Sequence, residues 1–137
     1  MRRPLLAIVA LLSACVTGAT TFADDFTLTV RDAPGARRFE LELTAGAVPI
    51  CFGIQQWPDA HGRLDTGSLA HVVTDAGRFA ARNYTFGYCP GGCGELRVEP
   101  GARLSAVISY DEFPQAAQLS ASSARHLHFA FRPYRCR

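Results

Sequence analysis

Phe26-Thr27-Leu28-Thr29-Val30-Arg31, then Asp32-Ala33-Pro34-Gly35, then Phe39-Glu40-Leu41-Glu42-Leu43-Thr44, is the stretch that decides the fold class. In the first run Phe26, Leu28 and Val30 alternate with Thr27, Thr29 and Arg31; in the second Phe39, Leu41 and Leu43 alternate with Arg38, Glu40, Glu42 and Thr44. A period of two sends successive side chains to opposite faces, so each run reads as a strand with one apolar and one polar side. The segment between them combines Asp, Pro and Gly, residues that favour a chain reversal.

The pattern continues in both directions. Val48 to Ile54 is a mostly apolar strand after the break at Gly46, and Leu69 to Val73 is another. Thr74-Asp75-Ala76-Gly77 turns the chain into Arg78 to Ala81, and Tyr84, Phe86 and Tyr88 share one face of the next run. Glu95 to Val98 leads through Glu99-Pro100-Gly101-Ala102 to the alternating Leu104, Ala106, Ile108 and Tyr110. A C-terminal strand from Leu127 to Tyr134, with Leu127, Phe129 and Phe131 on one side, completes the set. Asp111 to Gln118, carrying Pro114, has room for one helical turn, and Gln56 to Thr66 is the longest irregular loop. About eight or nine short strands without a sustained helical period predict an all-β protein, a single antiparallel β-sandwich.

Over residues 24–137 this order of strands and turns resembles immunoglobulin-like domains of bacterial envelope proteins. Trp57, in Gln55-Gln56-Trp57-Pro58, falls in a loop and does not match the buried strand Trp of antibody domains. The resemblance implies a fold and no activity, because function resides in sites and not in folds.

The other end of the chain reads as an address. Arg2 and Arg3 precede the apolar run Leu5 to Leu12, and small residues follow, which is the grammar of an export signal. An eight-residue apolar run is too short to cross a bilayer as a helix, which takes about 20 residues. Leu12-Ser13-Ala14-Cys15 resembles the lipobox of bacterial lipoproteins. The resemblance implies a signal peptide over 1–14, acylation of Cys15, a short linker over 15–23 and a domain over 24–137. Membrane association then runs through the lipid anchor, since each buried CH₂ stabilises by about 0.8 kcal/mol and two or more chains hold durably. Val16 stands where an Asp would, by the same resemblance, favour inner-membrane retention; the expectation is the outer membrane, facing the periplasm. The alternative is ordinary secretion with cleavage after Ala23, which releases a soluble protein beginning at Asp24.

Five cysteines fit this scheme. With Cys15 set aside, Cys51, Cys89, Cys93 and Cys136 form an even set, as exported proteins use for disulfides, and four cysteines allow three connectivities. Cys89-Pro90-Gly91-Gly92-Cys93 can turn sharply enough to bridge its own ends, which leaves Cys51 with Cys136. Three residues between Cys89 and Cys93, two of them glycine, differ from the two-residue spacing of a redox pair at a helix start, so the reading is structural.

Composition bounds partners. From Cys15 onward 137 − 14 = 123 residues remain, the size of one domain, and 48% hydrophobic content is too apolar for a disordered chain. All 14 basic residues are arginine; without Arg2 and Arg3, 12 face 12 Asp plus Glu, so the mature domain is near neutral. A near-neutral domain lacks the broad positive field that nucleic-acid binding draws on, and no nucleic-acid partner is expected.

Catalytic motifs are missing from the sequence: there is no GxSxG elbow, HExxH helix, phosphate loop or dinucleotide fingerprint. His61, His71, His126 and His128 with Asp59, Asp65, Asp75 and Ser68 form no spaced motif, and the chain is read as non-enzymatic with no cofactor. Two sets of residues carry binding chemistry. Trp57 with Gln55, Gln56 and Arg63 has the residue types of a protein interface, set against a Trp57 that folds back to cap the sandwich. His126 and His128, two apart on a strand, share a face and could hold copper or zinc if His61 or His71 completed the set. The expectation is therefore a non-enzymatic envelope lipoprotein that binds a protein or envelope component, as an inhibitor or immunity factor in its most concrete form. The alternatives are a periplasmic metal-binding protein using His126 and His128, and a purely structural envelope module.

Overall fold

Alternation in the sequence becomes nine antiparallel strands in a computed structural model that describes residues 22–65, 69–82, 89–90 and 92–137. They are β1 (Phe26–Ala33), β2 (Arg38–Ala45), β3 (Ile50–Gly53), β4 (Leu69–Thr74), β5 (Gly77–Ala80), β6 (Glu95–Val98), β7 (Arg103–Ser109), β8 (Arg125–Ala130) and β9 (Tyr134–Arg135). One short helix, α1 (Ala116–Ala121), and three single 3-10 turns complete the described elements. The signal segment, Cys15, Ser68 and the expected strand with Tyr84, Phe86 and Tyr88 lie outside the described residues.

The fold is all-β and sandwich-like, with three three-stranded sheets closing on one core: β1-β2-β7, β6-β3-β9 and β5-β4-β8. An immunoglobulin domain divides its strands between two sheets; here they divide among three. β2 shows the cleanest alternation, with Phe39, Leu41, Leu43 and Ala45 buried between half-buried Glu40, Glu42 and Thr44. β3 is buried on both faces through Ile50, Cys51 and Phe52, as its unbroken apolar run demands of a central strand. From β4 and β8 come Ala70, Val72, Leu127 and Phe129 on the inner side.

Two local features set the two ends of the β1–β2 hairpin. Arg37 closes the 3-10 turn Pro34–Ala36 with φ 52°, a left-handed conformation rare outside glycine. Its side chain is held there by Asp111 at 3.0 Å and by the Ser120 hydroxyl at 2.8 Å. Gly46 is required for a different reason: the Asp25 carboxylate sits 2.0 Å from where a Cβ would stand, and that carboxylate accepts the Ala47 N–H at 2.7 Å.

The C-terminal segment corrects the sequence expectation. In place of one strand from Leu127 to Tyr134, β8 stops at Ala130 and β9 begins at Tyr134. Pro133 has no N–H to give a ladder, and the Phe131 N–H turns back to the Phe129 carbonyl at 3.0 Å. The chain thereby crosses from the β4 sheet to the β3 sheet. Tyr110 likewise leaves β7 for a 3-10 turn (Tyr110–Glu112), capped by the Ser109 hydroxyl, which accepts the Asp111 N–H at 3.1 Å. A helix follows at Ala116–Ala121, beginning inside the segment where a helical turn was expected and running three residues past Gln118.

Both disulfides form in the expected pairing. Cys51 in β3 joins Cys136 just beyond β9, and Cys89 joins Cys93, each with Cα atoms 5.0 Å apart.

Candidate functional site

Trp57 lies at the end of the 3-10 turn Ile54–Gln56 and points inward, 5% exposed. Its indole meets Phe52 at 5.8 Å, Phe131 at 5.4 Å and Phe129 at 6.1 Å between ring centroids. The loop reading of its backbone holds, but the ring caps the core. The capping alternative is therefore the one the structure realises.

Beyond Trp57 the loop is tightly bonded to itself. The Asp59 carboxylate accepts the backbone N–H groups of His61 and Arg63 at 2.8 and 2.9 Å and pairs with the Arg63 guanidinium at 2.8 Å. Partial burial opposes the Asp59 charge, yet these hydrogen bonds prevail and hold its carboxyl below its ordinary value. Below the loop, Glu112 is buried and accepts the Leu64 N–H at 3.3 Å; desolvation pushes its carboxyl up.

A hollow of about 440 Å³ opens where this loop faces the Cys89–Cys93 bridge. Ile54, Trp57, Pro58 and Leu96 with both sulfur-bearing residues make it largely apolar, while Gln55, Asp59 and Asp65 supply polar atoms. Ile54 stands on it 45% exposed, an aliphatic side chain left in water. Of the expected interface residues, Gln55 and Trp57 thus line one hollow, Gln56 is half-buried on the same 3-10 turn, and Arg63 is committed to Asp59. Ile54, Leu96 and the short disulfide are the lining groups that sequence reasoning missed. Ile54 carried a signal: it continues the apolar run of β3 past the point where the strand ends.

His126 and His128 occupy the outward face of β8, opposite Leu127 and Phe129, as period two requires. Register pairs His128 with His71 and His126 with Val73. His71 and His128 stack, ring centroids 4.7 Å apart and planes 6° from parallel. Imidazole lone pairs lie in the ring plane, so two stacked rings do not aim at one ion. His61 sits apart, in the Asp59 turn. Among the described residues no group of three or more His, Cys, Asp or Glu is placed to hold a metal.

A third cluster is structural. Asp32, at an inward position of β1, accepts the Tyr110 hydroxyl and the Arg125 Nε, the latter at 2.8 Å. Arg125 also donates to the Leu119 carbonyl at 3.0 Å and to the Ser122 carbonyl, and its guanidinium lies 5.5 Å from the Tyr110 ring centroid. Burial and the bond to Asp32 push the Tyr110 hydroxyl up to about 12. The signal for this cluster was parity: Asp32 falls in the same even series as Phe26, Leu28 and Val30.

Compared with known proteins, the chain matches no family model, no curated protein and no solved structure.

Proposed function

We propose that this chain is a non-enzymatic lipoprotein of the bacterial cell envelope whose β domain binds another protein through the hollow beside Trp57. The observation that carries the reading is the cysteine pairing. Four of the five cysteines are consumed in Cys51–Cys136 and Cys89–Cys93, so Cys15 has no thiol left in the chain to pair with and stands at the end of a lipobox-like segment. Two disulfides also favour an oxidising compartment. For binding, the support is the exposed Ile54 on a largely apolar hollow, rigidly framed by a disulfide and by the Asp59 turn. A few residues seated in well-packed, desolvated pockets carry most of the binding energy of protein interfaces. The concrete version is a tethered, stoichiometric blocker of a hydrolase entering the periplasm, inserting or receiving one apolar side chain at Ile54.

Mass spectrometry of the mature N-terminus, with radiolabelled palmitate fed to cells, tests the anchor. The expected product begins at Cys15 and carries acyl chains, and Cys15→Ser abolishes the label. A soluble product beginning at Asp24 overturns it. For the hollow, a protein captured from envelope extract by wild type and by Val30→Asp, but lost with Ile54→Asp, is the expected result; equal recovery with Ile54→Asp removes the hollow from the reading.

A further inference from the structure

The outward face of the β5-β4-β8 sheet is the second place in the molecule where chemistry concentrates. β4, β5 and β8 read LAHVVT, GRFA and RHLHFA, with no Asp or Glu in any of them. Arg78 and Ala80 of β5, His71 of β4 and His126, His128 and Ala130 of β8 share the face that points away from the core. Arg125, the other cation of these strands, faces inward and is held by Asp32.

Register explains how the groups meet. His71 sits directly across from His128 on one side and from Ala80 on the other, with Arg78 diagonal to it. The alanines Ala80, Ala81 and Ala130 leave a trench of about 560 Å³, walled by the taller Arg78, His71 and His128. The Arg78 Nη2 lies 3.1 Å from the His71 Nδ1. A guanidinium only donates, so that Nδ1 accepts and the His71 hydrogen resides on Nε2. Everything that His71 and Arg78 still offer to the trench is then an N–H donor, beside a fixed positive charge. Such a wall suits an acceptor-only, negatively charged group, to which guanidinium binds in a fork.

We propose that this trench binds an oxyanion of the phosphate class, held by Arg78 and by the stacked His71 and His128. The site lies on a different face from the hollow beside Trp57 and does not depend on it. An oxyanion bound here favours the His71 imidazolium over the neutral ring; the added proton goes to Nδ1, which then donates, and the Arg78 guanidinium turns from that nitrogen to the anion. Burial, Arg78 and His128 together keep the His71 imidazole below its ordinary value, which a bound oxyanion would oppose. Among the described residues, the other charged groups that face or adjoin this pair are His126 on β8, Asp75 in the β4–β5 turn and Arg82 after β5, whose N–H bonds the Glu112 carbonyl.

The test follows the histidine Hε1 resonances of the full mature chain, disulfides intact, through pH titrations in inorganic phosphate and in chloride at equal ionic strength. His71 titrates at higher pH in phosphate, and phosphate binding weakens about tenfold or more in Arg78→Gln, the scale of a lost charged hydrogen bond. His128→Gln weakens it as well, whereas Arg103→Gln, on another sheet, does not; near-UV circular dichroism confirms that each variant keeps its packing. A parallel arm uses vesicles of phosphatidylglycerol and of phosphatidylcholine. Binding to the anionic vesicles alone, lost in Arg78→Gln, supports the site with a lipid headgroup as the source of the oxyanion. Identical titrations in phosphate and chloride with no anionic-vesicle binding overturn it, as does binding that Arg78→Gln leaves unchanged.

Discussion

Two junctions tie the three sheets together, and they work by opposite chemistry. At one, Phe26 of β1, Phe52 of β3 and Phe129 of β8 meet around Trp57 and Phe131 at 4.8 to 6.1 Å between ring centroids, mostly edge to face, with Phe129 and Phe131 stacked. At the other, Asp32 of β1 gathers Tyr110 from the end of β7 and Arg125 from β8, and Arg125 in turn holds the carbonyls after α1. The aromatic junction is non-directional: its stabilisation follows the apolar area removed from water and is indifferent to pH. The polar junction is directional. Its net contribution is small while complete, and the loss is large when one partner is removed, because the others remain desolvated. The first therefore supplies stability, and the second fixes how the β1-β2-β7 sheet sits against β8.

The largest effect comes from cutting the covalent brace beside the aromatic junction. Cys51→Ser with Cys136→Ser frees a loop of 85 residues, and the chain-entropy relation assigns it about 4 to 5 kcal/mol, against about 2 for Cys89→Ser with Cys93→Ser. Urea midpoints of the two double variants check the ratio.

Trp57→Ala removes the centre of the aromatic junction and destabilises by about 3 to 5 kcal/mol. Trp57 is the only tryptophan, so its wild-type fluorescence follows the same unfolding transition and emits at the short wavelengths of a dry indole. Emission typical of exposed Trp would contradict the junction.

Asp32→Ala leaves Arg125 inside with its carboxylate gone. Arg125 is 7% exposed and Asp32 24%, so the cost falls below that of a fully buried pair, about 2 to 3 kcal/mol. Asp32→Ala with Arg125→Met recovers much of it; no recovery means that geometry, and not the orphaned charge, governs the junction.

The effect that is smallest at neutral pH separates the junctions when pH is raised. Tyr110 ionises near 10 unfolded and at about 12 folded, so the native state binds the extra proton across that window. Stability from this group is whole below pH 10 and lost as pH rises through 12, by up to about 3 kcal/mol. Tyr110→Phe flattens that slope while costing about 1 kcal/mol at neutral pH through the lost hydrogen bond. Trp57→Ala leaves the slope as it is.

Much of the framework was legible in the residues because period two is a local signal. β1, β2, β6 and β7 lie where Phe26, Phe39, Glu95 and Leu104 suggest, and the cysteine count with the Gly-rich 89–93 segment predicts the pairing that forms. The candidate site was legible only in part. Trp57 and Gln55 line the hollow, but its other walls come from Leu96 and a disulfide more than thirty residues away, and no local pattern encodes that approach. The same holds for His71 and His128, whose stacking depends on which strand pairs with β4.

By itself the sequence determined which residues form strands, which cysteines could meet and which face of each strand is apolar, since all three depend on spacing along the chain. The tertiary structure alone decided that Trp57 turns inward, that the last strand breaks at Phe131–Pro133 to change sheets, and that a half-buried Asp32 meets the buried guanidinium of Arg125. Those outcomes turn on competition among distant segments for the same interior space and the same hydrogen bonds. That competition is settled only when the three sheets close on one core.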